Sequence, residues 1–120
     1  MSTQLPIDEY RVFQWTPKTA KRLKHTITVE LFWSRRQVGT IHFYPDGTPI
    51  PGDEVFAQSS GCIIYLHYPE DRYASIMDIL RNEKPAYVYI SARLGSPGSF
   101  TSGEGHIKTS KEPIGEEETN

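Results

Sequence analysis

The chain has 120 residues, a net charge of −2 and an apolar content of 37%, values that fit one globular domain and exclude a disordered chain. Its single cysteine, Cys62, cannot form an internal disulfide, and no apolar run approaches the roughly 20 residues that span a bilayer. We therefore expect one cytoplasmic domain over residues 1–112 that has no membrane partner. Residues 1–9 are expected to be loosely ordered, and residues 113–120 to form an acidic, disordered tail.

The charge is unevenly distributed along the chain. Residues 11–36 contain seven basic residues against the single acid Glu30, a net charge of +6. Such a segment is either a binding surface for a polyanion or an ordinary solvated surface.

Alternating apolar residues predict strands in the first half of the chain. Residues 10–16 have the pattern of a short strand that ends at Pro17, and residues 18–24 are a basic connection. Residues 25–34 alternate clearly and predict a half-buried strand, and residues 37–44 predict the next. The Pro45-Asp46-Gly47 tripeptide has the chemistry of a turn.

The second half contains the strongest helix signal. Prolines and glycines over residues 48–61 predict a long loop, with at most a brief edge pairing at 54–57, before a strand over 62–68. A helix is expected to begin at Pro69-Glu70-Asp71, to carry Tyr73, Ile76, Met77 and Leu80 on one side, and to end before Pro85. Strands over 86–92 and 106–110 follow, separated by a Gly- and Ser-rich loop at 95–105.

This order predicts a mainly β domain with one helix. We expect a small five- or six-stranded barrel, or a strongly curved antiparallel sheet, in the order β-β-β-α-β-β. That layout is similar to the five-stranded Greek-key barrel of the OB-fold. An open α+β sheet with the helix packed on one face would produce the same pattern.

Strand parity predicts a face rich in aromatic side chains. Because alternate residues point to opposite faces, burying Ile27, Val29, Leu31 and their counterparts on other strands places large, partly polar rings on the other side. The candidate binding residues are these rings and nearby arginines: Arg35, Arg36, His42, Tyr44, Tyr65, His67, Tyr87, Tyr89 and Arg93.

Two functions fit this face. The first, which we rank slightly ahead, is a non-enzymatic small β-barrel binding module for single-stranded nucleic acid, in which rings stack on bases and arginines meet phosphates. The second is a protein-interaction or structural domain, such as a homodimer, in which the same rings are buried against another chain. The net negative charge argues against the first, because dedicated nucleic-acid binders are usually basic.

Catalytic chemistry has little support in the sequence. Cys62 and His67 are predicted to point to opposite faces of one strand, so they cannot form a thiol–imidazole pair. His42 and His67 share a predicted face, but a metal site needs a third ligand, for which Glu30 is the candidate. We therefore expect no catalytic residues, no metal and no cofactor.

Overall fold

The computed structural model describes residues 2–15 and 25–109, and within these ranges the chain forms eight β-strands and one α-helix. The basic connection at 18–24 and the acidic tail at 113–120 lie outside the described residues. The strands are β1 (Thr3–Ile7), β2 (Glu9–Gln14), β3 (Ile27–Trp33), β4 (Arg36–Tyr44), β5 (Asp53–Gln58), β6 (Gly61–Pro69), β7 (Ala86–Ser91) and β8 (Phe100–Thr109). A 3₁₀ turn (Glu70–Arg72) leads into α1 (Tyr73–Asn82).

All eight strands belong to one sheet that curls into a half-barrel. Their order is β1-β7-β8-β5-β6-β4-β3-β2. Every pairing is antiparallel except that of β4 with β6, which is parallel. The two end strands are consecutive in the chain and separated by Asp8 alone. Residues 3–14 therefore link the two ends of the curled sheet.

The core lies inside the curl, where alternate residues of each strand meet. Val29, Leu31, Ile41, Ile64 and Val88 are fully buried. Gly39 of β4 allows this close packing, because Leu31 and Val88 approach it from two other strands. The opposite side of the sheet, whose residues alternate with these, is called the outer face below.

The helix contributes three more core residues. Ile76, Met77 and Leu80 are buried at the three- and four-residue spacing that the sequence predicts. Tyr73 packs edge-on against Phe43 of β4, with ring centroids 5.2 Å apart. Within the described residues, no helix is long and apolar enough to cross a membrane.

The mainly β class with one helix is confirmed, but the expected five or six strands and their order are wrong. Residues 53–58, predicted as part of a long loop, form β5 in the middle of the sheet between β8 and β6. Residues 3–7, predicted to be loosely ordered, form β1 on β7. The sheet is also not the purely antiparallel one expected as the alternative to a barrel, since β4 and β6 run in parallel.

Candidate binding face

A continuous row of aromatic rings crosses the outer face. It starts with Phe56 and Phe100, whose ring centroids are 4.7 Å apart, and continues from Phe100 to Tyr65 at 5.9 Å and from Tyr65 to His42 at 6.3 Å. His42 lies 5.3 Å from His67 on the neighbouring strand. We call this row, completed by the two rings described next, the aromatic stripe.

His25 and Tyr44 complete the stripe at its β3–β4 end. The His25 ring stacks on His42 with a centroid distance of 3.9 Å and an interplanar angle of 13°. The Tyr44 hydroxyl and His67 Nδ1 are hydrogen-bonded at 2.8 Å. Tyr44 is only 3% exposed, so its ring orients His67 and offers little surface to a ligand.

Asp53 fixes the strands that carry the middle of the stripe. Its carboxylate accepts hydrogen bonds from the backbone N–H of His67 at 2.9 Å and from that of Gly105 at 3.0 Å. One side chain of β5 thereby connects β6 and β8. Both carboxylate oxygens of Asp53 are engaged in holding the sheet together.

The histidines of the stripe favour their neutral forms. Burial, assisted by the neighbouring His25 and His67, lowers the pKa of His42 to about 3. Burial also lowers the pKa of His25, with a further contribution from His67. The pKa of His67 is lowered by burial in spite of the opposing Asp53 and Glu54 carboxylates. At neutral pH the three imidazoles are therefore uncharged flat surfaces.

Carboxylates supply the charge next to the stripe. On the outer face a cross-strand row runs from Arg11 through Glu30, Thr40 and Tyr65 to Glu54. Burial raises the pKa of the Tyr65 phenol, and the Glu54 and Glu30 carboxylates raise it further. The centre of the outer face is thus aromatic and acidic.

Strand β2 forms one margin of the outer face. β2 pairs with β3, and the Trp15 indole Nε1–H donates to the Thr28 hydroxyl at 3.1 Å. The Phe13 ring stacks on Trp15 at 6.3 Å, and the two residues are 37% and 38% exposed. They form a second aromatic patch on the β2 side of the outer face.

The structure brings together four of the candidate binding residues and separates the other five from them. His42, Tyr44, Tyr65 and His67 belong to the stripe. Tyr89 instead packs on His106 at 4.7 Å and under the Lys108 ammonium at 5.4 Å. Tyr87 lies opposite the same lysine on β8.

The predicted arginines lie elsewhere. Arg35 is in the exposed turn after β3, and Arg36 donates to the carbonyl and hydroxyl oxygens of Ser60. Arg93 is exposed in the loop after β7. Among the described residues, the cations over aromatic rings are Arg11 on Phe32, Arg72 on Tyr68 and Lys108 on Tyr89.

Three rings of the stripe were missing from the candidates. Phe56 and Phe100 lie on stretches that their prolines, glycines and serines mark as loops, and His25 precedes its strand. Once Val55 is recognised as an inward residue, parity places Phe56 outward, and the pairing of β5 with β8 places Phe100 opposite it.

The described residues offer few groups for catalysis or metal binding. No set of three or more His, Cys, Asp or Glu side chains among them is arranged to hold a metal ion. Burial raises the pKa of the Cys62 thiol, which disfavours the nucleophilic thiolate. Glu30 and His42 both lie on the outer face, as parity predicts, but without a metal-binding geometry.

No family model, curated protein or solved structure matches the chain in sequence or fold comparisons. The geometry of the outer face is therefore the basis for proposing a function.

Proposed function

We propose that this protein is a non-enzymatic binding module whose aromatic stripe contacts another protein. The observation that supports this best is the combination of the exposed Phe100 ring and the half-buried rings beside it with neighbouring carboxylates. Phe100 is 55% exposed although it lies between two other rings of the row, Phe56 and Tyr65. Contiguous exposed aromatic surface commonly marks a contact site, and aromatic residues are enriched in protein interfaces.

Electrostatics favours a protein over nucleic acid as the ligand. A single strand stacked along the stripe would bring its phosphates near Glu54 and Glu30, the carboxylates that act on Tyr65. Like charges brought together at an interface oppose binding. A protein segment has no such uniform negative charge.

Selection from a random peptide display library tests this proposal. Peptides selected by the wild-type protein are expected to lose most of their affinity for Phe100→Ala. Leu94→Ala is the matched control, because Leu94 is a similarly exposed apolar residue in the loop after β7. Selected peptides that bind Phe100→Ala as well as wild type would contradict the proposal, as would a failure to select any peptide.

Single-stranded nucleic acid is the second candidate, favoured by the cations at two margins of the outer face. Arg11 lies over Phe32 on one side, and Lys108 lies over Tyr89 on the other. A labelled thymidine oligomer that bound with a steep loss of affinity in salt would support this function. A flat titration at low salt would exclude it.

A further inference from the structure

Three carboxylates lie near the centre of the stripe and differ in what they already contact: Glu30 and Glu54 are on the outer face, and Asp53 is on the inward side of β5 with Val55. Asp53 accepts two backbone hydrogen bonds. Glu30 lies directly opposite Arg11 on the neighbouring strand. Glu54 lies between Tyr65 on β6 and Ser102 on β8, in strand positions that carry no opposing cation.

Glu54 therefore sits next to aromatic surface without a cationic cross-strand neighbour. Side chains directly opposite each other in antiparallel strands are about 4.5–5.5 Å apart at Cβ, close enough for one ligand group to touch both. Glu54 has this relation to Tyr65, and Phe100 is 5.9 Å from Tyr65 between ring centroids. A planar cation could stack on the ring of Tyr65 or Phe100 and pair with the carboxylate of Glu54.

We infer that the outer face recognises an arginine side chain of a partner protein, with its guanidinium stacked on Tyr65 or Phe100 and hydrogen-bonded to Glu54. This inference rests on the proposed function and specifies the partner's chemistry. Guanidinium suits the place better than ammonium, because it is planar, stacks on rings and pairs with a carboxylate through two parallel hydrogen bonds. Because the His42 and His67 imidazoles favour their neutral forms, they do not offset the charge of the Glu54 carboxylate.

Fluorescence anisotropy with three labelled peptides of equal length tests the inference. The peptides alternate serine with arginine, lysine or glutamate. The arginine peptide is expected to bind most tightly, the lysine peptide about fivefold more weakly, as suits the loss of about 1 kcal/mol, and the glutamate peptide not at all. Equal affinity for the arginine and lysine peptides, or binding of the glutamate peptide, would overturn the inference.

Two charge-neutralising variants locate the contact. Glu54→Gln should weaken binding of the arginine peptide about fivefold, the loss expected for one surface ion pair. Glu83→Gln removes the same charge at the C-terminal end of the helix, away from the outer face, and should leave the affinity unchanged. An equal loss of affinity for the arginine peptide in both variants would show a nonspecific charge effect and overturn the inference.

The outcomes separate this inference from the function on which it rests. If display-selected peptides depend on Phe100 but are not enriched in arginine, the partner chemistry is wrong and the protein-binding function stands. If neither selected peptides nor the arginine peptide depend on Phe100, the function itself fails. If the thymidine oligomer binds and none of the peptides does, the ligand of the outer face is nucleic acid, and both the inference and the protein-binding function are wrong.

Discussion

At the scale of single residues, the stripe shows how much strand parity can predict. Parity correctly places His42, Tyr65 and His67 on one face, because each lies on a strand with a clear apolar alternation. It does not predict that Tyr44 is buried, since that follows from packing between His25 and His67. The stacking of His25 on His42 depends on a residue outside any strand pattern.

The histidine cluster should make stability depend on pH. Because His25, His42 and His67 have lowered pKa values in the folded protein, the unfolded chain binds more protons below its ordinary histidine pKa of about 6.5. Stability is therefore complete above about pH 6.5 and decreases as the pH falls, with the contribution of His42 extending to about pH 3.

Urea unfolding at about pH 7.5 and about pH 5 measures this effect. We expect a loss of about 1 kcal/mol at the lower pH from His42, after allowance for its partial exposure to solvent. His42→Asn should reduce the pH dependence relative to wild type. An unchanged pH dependence in that variant would show that His42 is not responsible.

At the scale of elements, the sequence predicts well where local signals and tertiary environment agree. The helix ends at Asn82, before Pro85, and its apolar stripe is buried as its spacing requires. The sequence does not predict β5, because Pro49, Pro51 and Gly52 immediately precede it and are typical of a loop. Its place in the sheet comes from pairing with β6 and β8, the latter more than forty residues away in sequence, which local composition does not encode.

Gly39 should be essential to the packing of β4 inside the curl. A Cβ at this position would lie 3.0 Å from Leu31 Cδ1 and 3.2 Å from the Ile64 carbonyl oxygen. We expect Gly39→Ala to lower the free energy of unfolding by about 1–3 kcal/mol, the usual cost of overpacking.

Gly52→Ala is the control for this substitution, because a Cβ there would meet nothing within 4 Å. Thermal or urea denaturation of both variants makes the comparison. If Gly39→Ala is as stable as Gly52→Ala, the close approach of Leu31 and Val88 does not constrain this strand.

At the scale of the whole molecule, the sheet separates the side that holds the core from the side proposed to bind a partner. The inside of the curl holds the apolar core and receives the helix. The rings and carboxylates of the outer face are not part of this apolar core. The pairing of strands distant in sequence creates the stripe, since Phe56, Phe100, Tyr65 and His42 come from four different strands.

This separation suggests that the outer face can be altered without unfolding the protein. Phe100→Ala should change the melting temperature far less than Gly39→Ala, because Phe100 is mostly exposed whereas Gly39 is buried among core residues. Thermal denaturation of the two variants side by side makes this comparison. Comparable losses of stability would show that the stripe is part of the core and not a separate binding surface.

The most direct test of the account is an NMR titration of isotope-labelled protein with the arginine–serine peptide. Binding at the proposed site predicts that backbone amide shifts cluster at His42, Glu54, Tyr65 and Phe100 and that Glu54→Gln needs about fivefold more peptide to produce them. Shifts confined to the turn between β3 and β4, around Trp33 and Arg36, or spread evenly over acidic residues of the surface, would contradict it.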